Sequence, residues 1–146
     1  MRQLETDVVI VGAGPAGLTL SALLAREGVH ALTLSKYQGT ADSPRAHITN
    51  QRTVEVFRDL GIEERVMAHA LPQHLMGKQV MATSFTGREI SRMDSWGTGK
   101  RQGDYDVASP CKMCNAPQHV LEPILLDRAR ELGADIRFNQ EVVAVS

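Results

Sequence analysis

The apolar positions at the amino end of the chain predict a strand, a helix and a second strand in close succession. Apolar residues are continuous from Val8 to Val11, as is typical of a strand buried on both faces of a sheet. From Pro15 to Arg26 they recur at helical spacing, and Gly28 follows where a left-handed residue would end that helix. The run from Ala31 to Leu34 predicts the second strand.

The remaining pattern predicts three more helices and four more strands. The first helix is capped by Thr49 or Asn50 and runs to about Leu60, before Gly61. A short second helix covers Ile62 to Ala70 and is ended by Pro72. The third begins near His119, has Pro123 in its first turn and closes at Gly133. The strands are Gln79 to Phe85 and Arg88 to Met93 around a turn at Gly87, then Asp135 to Phe138 and Glu141 to Val145, and a loop rich in Gly, Asp and Ser follows the first pair.

Three glycines, Gly12, Gly14 and Gly17, follow the first strand directly. In this spacing the first permits a tight turn, the second lets the backbone approach a pyrophosphate, and the third lets the helix pack closely on the strand. The free N–H groups and the positive end of the helix dipole would point at the phosphates. Together with the flanking elements, the glycines predict a dinucleotide site. The alternative is a tight strand-to-helix turn with no ligand.

The end of the second predicted strand departs from the usual dinucleotide pattern. An acidic residue is expected there, about twenty residues after the glycines, to hold the adenosine ribose hydroxyls. Ser35 and Lys36 occupy the place instead. A serine hydroxyl can still bond a ribose and a lysine can meet a phosphate, so the departure leaves cofactor affinity and identity open.

Composition narrows the class of protein. The 146 residues are 42% apolar and 23% charged, enough for a single globular core. The net charge of −1 and scattered basic residues give no footprint for nucleic acid. No apolar run approaches the roughly twenty residues of a membrane span, and the first strand begins close to Met1. We therefore expect a cytoplasmic protein.

The two cysteines, Cys111 and Cys114, could form a redox dithiol or half of a zinc site. A redox pair usually opens a helix after a strand, and a zinc site needs a second pair or two suitably spaced histidines. The five histidines show no ligand pair at helical spacing: His30, His47, His69, His74 and His119. We expect neither a metal nor a disulfide.

Three segments carry a resemblance to a known family. They are VVIVGAGPAGLTLSALLAREGV, PRAHITNQRTVEVFRDLGI and MCNAPQHVLEPILLDRARELGADIRF. With them the chain resembles the FAD-dependent aromatic hydroxylases, the single-component flavoprotein monooxygenases of the p-hydroxybenzoate hydroxylase type, and within them the phenol and chlorophenol hydroxylases. The similarity covers nearly the whole chain but only the amino-terminal part of a family member.

The resemblance implies a fold and a reaction. The fold is α/β, an incomplete Rossmann-like FAD-binding domain with the start of an inserted β-rich substrate element. Residues 1–76 and 115–146 would belong to the FAD-binding domain and residues 77–114 to the insertion. The implied activity, in the catabolism of aromatic compounds, is hydroxylation of a phenol with NAD(P)H and dioxygen through a flavin hydroperoxide, by an enzyme that forms a homo-oligomer.

The resemblance also implies roles for individual residues. The FAD pyrophosphate would be held by the glycine turn, and the other cofactor contacts would come from single positions along the chain. These residues are Gly12, Ala13, Gly14, Pro15, Ala16, Gly17, Ser35, Lys36, Arg45, Gln118 and Val142. Most of the family has glutamate at the position of Ser35, whereas chlorophenol-type members tolerate a small polar residue. For Arg45 the alternative is a solvated loop arginine.

His47 is the implied catalytic residue. It lies where phenol hydroxylases carry an acidic residue near the flavin and the substrate hydroxyl. An imidazole titrates near neutrality in water and could accept the phenol proton. The alternative is a capping or loop histidine beside Thr49.

Two other functions stay open at this point. Another FAD or NAD oxidoreductase would share the glycine triad but lack the second and third segments. A truncated, non-catalytic FAD-binding fragment would share every motif and have no turnover.

Overall fold

The computed structural model describes residues 3–145; Met1, Arg2 and Ser146, at the outer ends of the predicted domain ranges, lie outside the described residues. The strands are β1 (Val8–Val11), β2 (Ala31–Leu34), β3 (Ile48–Thr49), β4 (Leu71–Pro72), β5 (Lys78–Ala82), β6 (Glu89–Asp94), β7 (Cys114–Asn115) and β8 (Asp135–Arg137). The helices are α1 (Pro15–Arg26), α2 (Gln51–Asp59), α3 (Glu63–Met67), α4 (Gln102–Ala108) and α5 (Gln118–Glu131), with short 3₁₀ turns at Gln73–Met76 and Gly99–Arg101.

The largest parallel unit is a three-stranded sheet in the order β1-β2-β8. Val9 lies opposite Leu32, and Leu32 lies opposite Asp135, so β2 is the central strand. The carboxyl ends of the three strands therefore meet at one edge of the sheet. In open α/β sheets that edge is where ligands bind.

The main hydrophobic core lies between the helices. Leu18 and Ala22 of α1, Phe57 of α2 and Leu125 and Ala129 of α5 are almost fully buried in one cluster. Burying a leucine or phenylalanine side chain contributes about 1.5–3 kcal/mol. This cluster holds α1 and α5 together beneath the sheet edge, and so fixes the two helices whose amino ends face the ligand-binding side.

The helix ends follow the predicted chemistry. The side chain of Asn50 accepts a hydrogen bond from the backbone N–H of Thr53 at 2.8 Å, so Asn50 is the cap of α2. Gly28 has φ of +74°, the left-handed conformation predicted for the end of α1. These local interactions explain why the bounds of α1 and α2 could be predicted closely. In contrast, α3 is shorter than the helix predicted over Ile62 to Ala70.

A small antiparallel sheet ties the middle of the chain to the start of α5. β7 lies between β3 and β4. Next to this sheet, the N–H of Ala116 donates to the carbonyl of His47 at 2.8 Å, and that of Gln118 donates to the carbonyl of Ala46 at 3.0 Å. The segment before α2 is therefore held against the first residues of α5.

β5 and β6 form a separate antiparallel hairpin. Its turn is closed by bonds from Thr83 N–H to the Arg88 carbonyl at 3.0 Å and from Gly87 N–H to the Ser84 carbonyl at 3.2 Å. The two predicted strands are present in the predicted order, although β5 ends at Ala82 rather than at Phe85. The pairing shifts its register between Met81 and Ala82.

The prediction that the first strand is buried on both faces is wrong for this chain. Ile10 is buried, but Val9 and Val11 are 54% and 64% exposed. The reason is that the helices pack on one face of the sheet, while no described element covers the face that carries the two valines. β1 is also an edge strand.

Three smaller predictions differ from the structure. α5 begins at Gln118 after Pro117, so Pro123 lies in the second turn rather than the first. Residues 141–145 have no regular secondary structure, so the predicted last strand, Glu141 to Val145, is wrong. α4 occupies part of a predicted loop. It was not predicted because a helix without buried residues gives no apolar periodicity. None of the described helices is long and apolar enough to cross a bilayer.

Candidate cofactor-binding site

The three glycines at the end of β1 differ in what a side chain would meet at each position. Gly12 has φ of +109°, a conformation that a side chain would strain. A Cβ on Gly17 would clash with the carbonyl oxygen of Gly12. Gly14 has extended backbone angles, φ −82° and ψ −173°, and a Cβ there would meet nothing closer than Glu122 Oε1 at 3.8 Å. The fold therefore requires glycine at positions 12 and 17. It does not require glycine at position 14, where the need for an absent side chain would come from a ligand.

The amino end of α1 is suited to bind an anion. Its N-cap, Gly14, supplies no side-chain hydrogen bond, and the first turn contains no acidic residue. The first N–H groups of a helix have no partners within the helix, and the helix dipole is positive at this end. A phosphate could satisfy these groups.

A cleft of about 800 Å³ opens in front of this turn, at the carboxyl ends of β1 and β2. Its volume lies within the range of about 300–1,000 Å³ that is usual for ligand and cofactor sites. Eight of the predicted cofactor residues line it: Gly12, Ala13, Gly14, Ser35, Lys36, Arg45, Gln118 and Val142. Pro15, Ala16, Gly17 and His47 are not among its lining residues.

The end of β2 forms one side of the cleft. Ser35 is buried, and its Oγ accepts a hydrogen bond from the N–H of Tyr37 at 3.4 Å. Lys36 is exposed, with its Nζ 5.6 Å from the centre of the Tyr37 ring. A hydroxyl and an ammonium group thus stand where the sequence pattern would place a carboxylate.

Arg45 and Gln118 also line the cleft. Arg45 is exposed and has no ion-pair partner within residues 3–145, so its guanidinium is available to a ligand phosphate. Gln118 is the first residue of α5 and projects to the cleft. Because the Gln118 N–H binds the Ala46 carbonyl, these two positions are held close to each other.

Glu122 is a cleft residue that sequence reasoning missed. It is only 3% exposed. Its Oε1 accepts a hydrogen bond from Gln118 Nε2, and its Oε2 accepts one from the N–H of Ala41, both at 2.5 Å. The spacing could have revealed it, since a residue four positions after Gln118 shares its helix face. The segment 37–42, which also lines the cleft, carries no recognisable motif.

His47 lies outside the cleft lining and is exposed. Its carbonyl is bound by Ala116, whereas its imidazole has no hydrogen bond among the described residues. The cap of α2 is Asn50, so the alternative role of His47 as a helix cap is not observed.

The two cysteines are buried in the core near α2. Burial raises the pKa of both the Cys111 and the Cys114 thiol, while a hydrogen bond with Thr49 opposes this effect at Cys114. A raised pKa disfavours the thiolate, which is the reactive and metal-binding form. Within residues 3–145, no group of three or more His, Cys, Asp and Glu side chains is arranged to hold a metal ion.

Comparison with known proteins assigns the family. The sequence profile of the FAD binding domain family matches residues 5–146, and the chain belongs to that family. It is 51% identical over 143 residues to 2,4-dichlorophenol 6-monooxygenase of Delftia acidovorans, an alignment covering 97% of this chain and 24% of that protein. It is 47% identical over 141 residues to phenol 2-monooxygenase of Pseudomonas sp. (strain EST1001), covering 96% and 23%.

A solved structure gives the same result. The flavin-dependent monooxygenase PieE, in complex with FAD and substrate, superposes with a TM-score of 0.89 at 48% identity, over 95% of this chain and 24% of PieE. The predicted fold class, a mixed α/β FAD-binding domain of the p-hydroxybenzoate hydroxylase type, is confirmed. The chain spans about a quarter of the length of these relatives.

Proposed function

We propose that the protein carrying this chain is an FAD-dependent monooxygenase that hydroxylates a phenolic substrate with NAD(P)H and dioxygen. The observation that carries the proposal is the cleft, which the glycine turn, Arg45 and Gln118 line together at the carboxyl edge of a parallel sheet. The names of the relatives, a dichlorophenol and a phenol monooxygenase at about half identity, support the substrate class.

The residues present fit FAD. The N–H groups of the first turn of α1 would hold the pyrophosphate, and Gly14 has room for it because no side chain fills that position. Arg45, which also lines the cleft, would add a guanidinium to the phosphates. Ser35 and Val142, which line the cleft on the side of β2, would take the adenosine half. Gln118 would donate to the cofactor from the start of α5.

When bound, FAD would accept reducing equivalents from NAD(P)H and activate dioxygen for transfer of one oxygen atom to the aromatic ring. The chain itself would bind and orient the cofactor. For His47 we propose that its imidazole takes the proton of the phenol hydroxyl, which makes the ring more electron-rich. Its exposed position, in the segment that Ala116 fastens beside the cleft, leaves the imidazole free for a substrate.

We also propose that residues 77–114 begin the substrate-facing part of the protein. In support, β5 and β6 form a sheet of their own, separate from the parallel sheet. The hairpin exposes apolar side chains that a further layer could cover: Val80, Met81, Phe85, Ile90 and Met93.

The test uses the intact protein that carries this sequence. Its visible spectrum after addition of FAD and desalting should retain a flavin band. With NADPH or NADH, oxygen and a panel of phenols, it should form catechols in proportion to the nicotinamide consumed. Tight nicotinamide binding without a retained flavin band would contradict the FAD site. Retained flavin without any hydroxylated product would contradict the reaction.

A further inference from the structure

Glu122 is a buried carboxylate in an unusual setting. Only 3% of its surface is exposed, and no basic side chain within residues 3–145 forms an ion pair with it. Burying a carboxylate is costly unless hydrogen bonds compensate for the lost water. Here the compensation comes from two neutral donors, the Gln118 amide and the backbone N–H of Ala41. The carboxylate is thus held by a residue of α5 and by the loop at Ala41 rather than by a cation.

The Ala41 donor lies on a loop with little other support. We call residues 38–45 the outer loop. Within the described chain, the N–H of Ala41 makes the one hydrogen bond of the outer loop, and its acceptor is Glu122. Just outside the loop, the Tyr37 carbonyl accepts from Asn139 at 2.9 Å and the Ala46 carbonyl accepts from Gln118 at 3.0 Å. The loop is therefore fastened at both ends and, in between, only at Ala41.

The outer loop also carries cleft-lining residues, Arg45 among them. The same carboxylate that holds Ala41 also orients the Gln118 side chain on α5. The glycine turn lies nearby, since a Cβ built on Gly14 would be 3.8 Å from Glu122 Oε1. One side chain consequently lies at the meeting point of the phosphate turn, the start of α5 and the outer loop.

We propose that Glu122 is a positioning residue that fixes the outer loop as one wall of the cofactor cleft and aligns Gln118 with it. The inference rests on the proposed FAD site, but the loop attachment itself is a property of the protein without cofactor. Removing the carboxylate frees the Ala41 N–H, lets the outer loop and Arg45 move away from the glycine turn, and leaves the Gln118 amide without its acceptor. Cofactor affinity then falls because the wall has to be ordered at each binding event.

The first arm of the experiment measures the loop without cofactor. Hydrogen–deuterium exchange of the peptide containing Ala41 is compared in the intact apoprotein for wild type, Glu122→Ala, Glu122→Gln and Asp127→Ala. Asp127 is the matched control because it is an exposed carboxylate on the same helix. We expect one amide of this peptide to exchange at least about tenfold faster in Glu122→Ala, since a hydrogen bond to a charged acceptor is lost. Asp127→Ala should exchange like wild type.

Glu122→Gln distinguishes the hydrogen bonds from the charge. Its amide oxygen can still accept from Ala41, and Gln118 can turn its own oxygen toward the new NH₂ group. We expect Glu122→Gln to keep the wild-type exchange of Ala41 within about threefold. Should Glu122→Ala fail to fold, Glu122→Asp replaces it, because the shorter side chain keeps the charge but withdraws the oxygens from Ala41. It should exchange as fast as predicted for the alanine variant.

The second arm measures FAD affinity by flavin fluorescence titration of the same variants. Glu122→Ala should weaken binding by about ten- to a hundredfold, with Glu122→Gln much closer to wild type. Unchanged exchange of Ala41 in Glu122→Ala, or in Glu122→Asp if that variant is needed, would overturn the proposal. Faster exchange with unaltered FAD affinity would overturn its positioning role. If wild-type protein bound no FAD, the proposed function would fail, while the first arm would still decide whether Glu122 holds the outer loop.

Discussion

Replacing Gly17 by alanine should destabilise the fold, whereas the same change at Gly14 should spare the fold and weaken cofactor binding. A Cβ on Gly17 would clash with the Gly12 carbonyl oxygen and lie 3.1 Å from the carbonyl carbon and 3.4 Å from Ile10 Cγ2. The obstacle is backbone, so no side-chain rotation relieves it. The glycine turn would have to move away from α1.

The size of the Gly17 effect follows from two opposing contributions. Inserting a methyl group into a tightly packed site costs about 1–3 kcal/mol, and a clash with backbone belongs at the upper end. Alanine gains about 1 kcal/mol over glycine inside a helix. The expected net loss in the free energy of unfolding is about 2 kcal/mol, which lowers the melting temperature of a domain of this size by about 4–8 °C.

The assay is thermal unfolding by circular dichroism together with FAD titration, on wild type, Gly17→Ala and Gly14→Ala. Gly14 has extended backbone angles that alanine adopts without strain, and its Cβ would have room. Its variant should therefore melt within about 2 °C of wild type but bind FAD more weakly, and Gly14→Val should lose FAD on desalting. A Gly17→Ala protein with wild-type melting, or equal destabilisation by both changes, would refute the assignment of separate roles.

Three further predictions concern other parts of the chain. His47→Ala in the intact enzyme should slow phenol hydroxylation by roughly ten- to a thousandfold with unchanged FAD content; an unaltered rate and pH profile would rule out a proton-transfer role. Hydrogen bonding to the Arg58 guanidinium lowers the pKa of Glu63 below its ordinary 4.5, so the destabilisation caused by Glu63→Gln should be present at pH 7 and disappear as the pH falls through that lowered value. Equal melting differences at pH 7 and in acid would contradict it. The 146-residue polypeptide expressed alone should associate, because the edge strand β1 exposes Val9 and Val11. It should form no catechol, because it spans only about a quarter of the length of the relatives that it matches. Monomeric behaviour in light scattering, or catechol by chromatography, would contradict this.

The amino-terminal unit could be predicted closely because its signals are local. The bounds of β1, α1 and β2 agree with the apolar pattern, and Gly28 ends α1 as expected. The glycine triad also predicted three separate purposes, a tight turn, an approach to a pyrophosphate and close helix packing. The contacts agree with the turn at Gly12 and the close packing at Gly17, and they leave the position at Gly14 open.

Other features were beyond the sequence because they depend on distant contacts. Ala41 and Glu122 are 81 positions apart, so no local pattern joins them. The exposure of Val9 and Val11 depends on which elements cover the sheet, and a strand's own apolar run does not specify that. α4 was not predicted because it buries none of its residues, so its sequence shows no apolar periodicity.

Because Ser35 stands where dinucleotide sites usually have an acidic residue, the cleft would hold the ribose of FAD differently. A carboxylate can only accept hydrogen bonds from ribose hydroxyls, whereas a serine hydroxyl has a hydrogen to donate. The Ser35 Oγ accepts from the Tyr37 N–H, and its own hydrogen is left to donate to a ribose hydroxyl. A neutral bond of this kind is weaker than a charged one. The buried carboxylate of this cleft, Glu122, lies instead near Gly14 and engages protein groups. Binding of FAD should therefore depend less on the ribose than on the pyrophosphate, through α1 and Arg45.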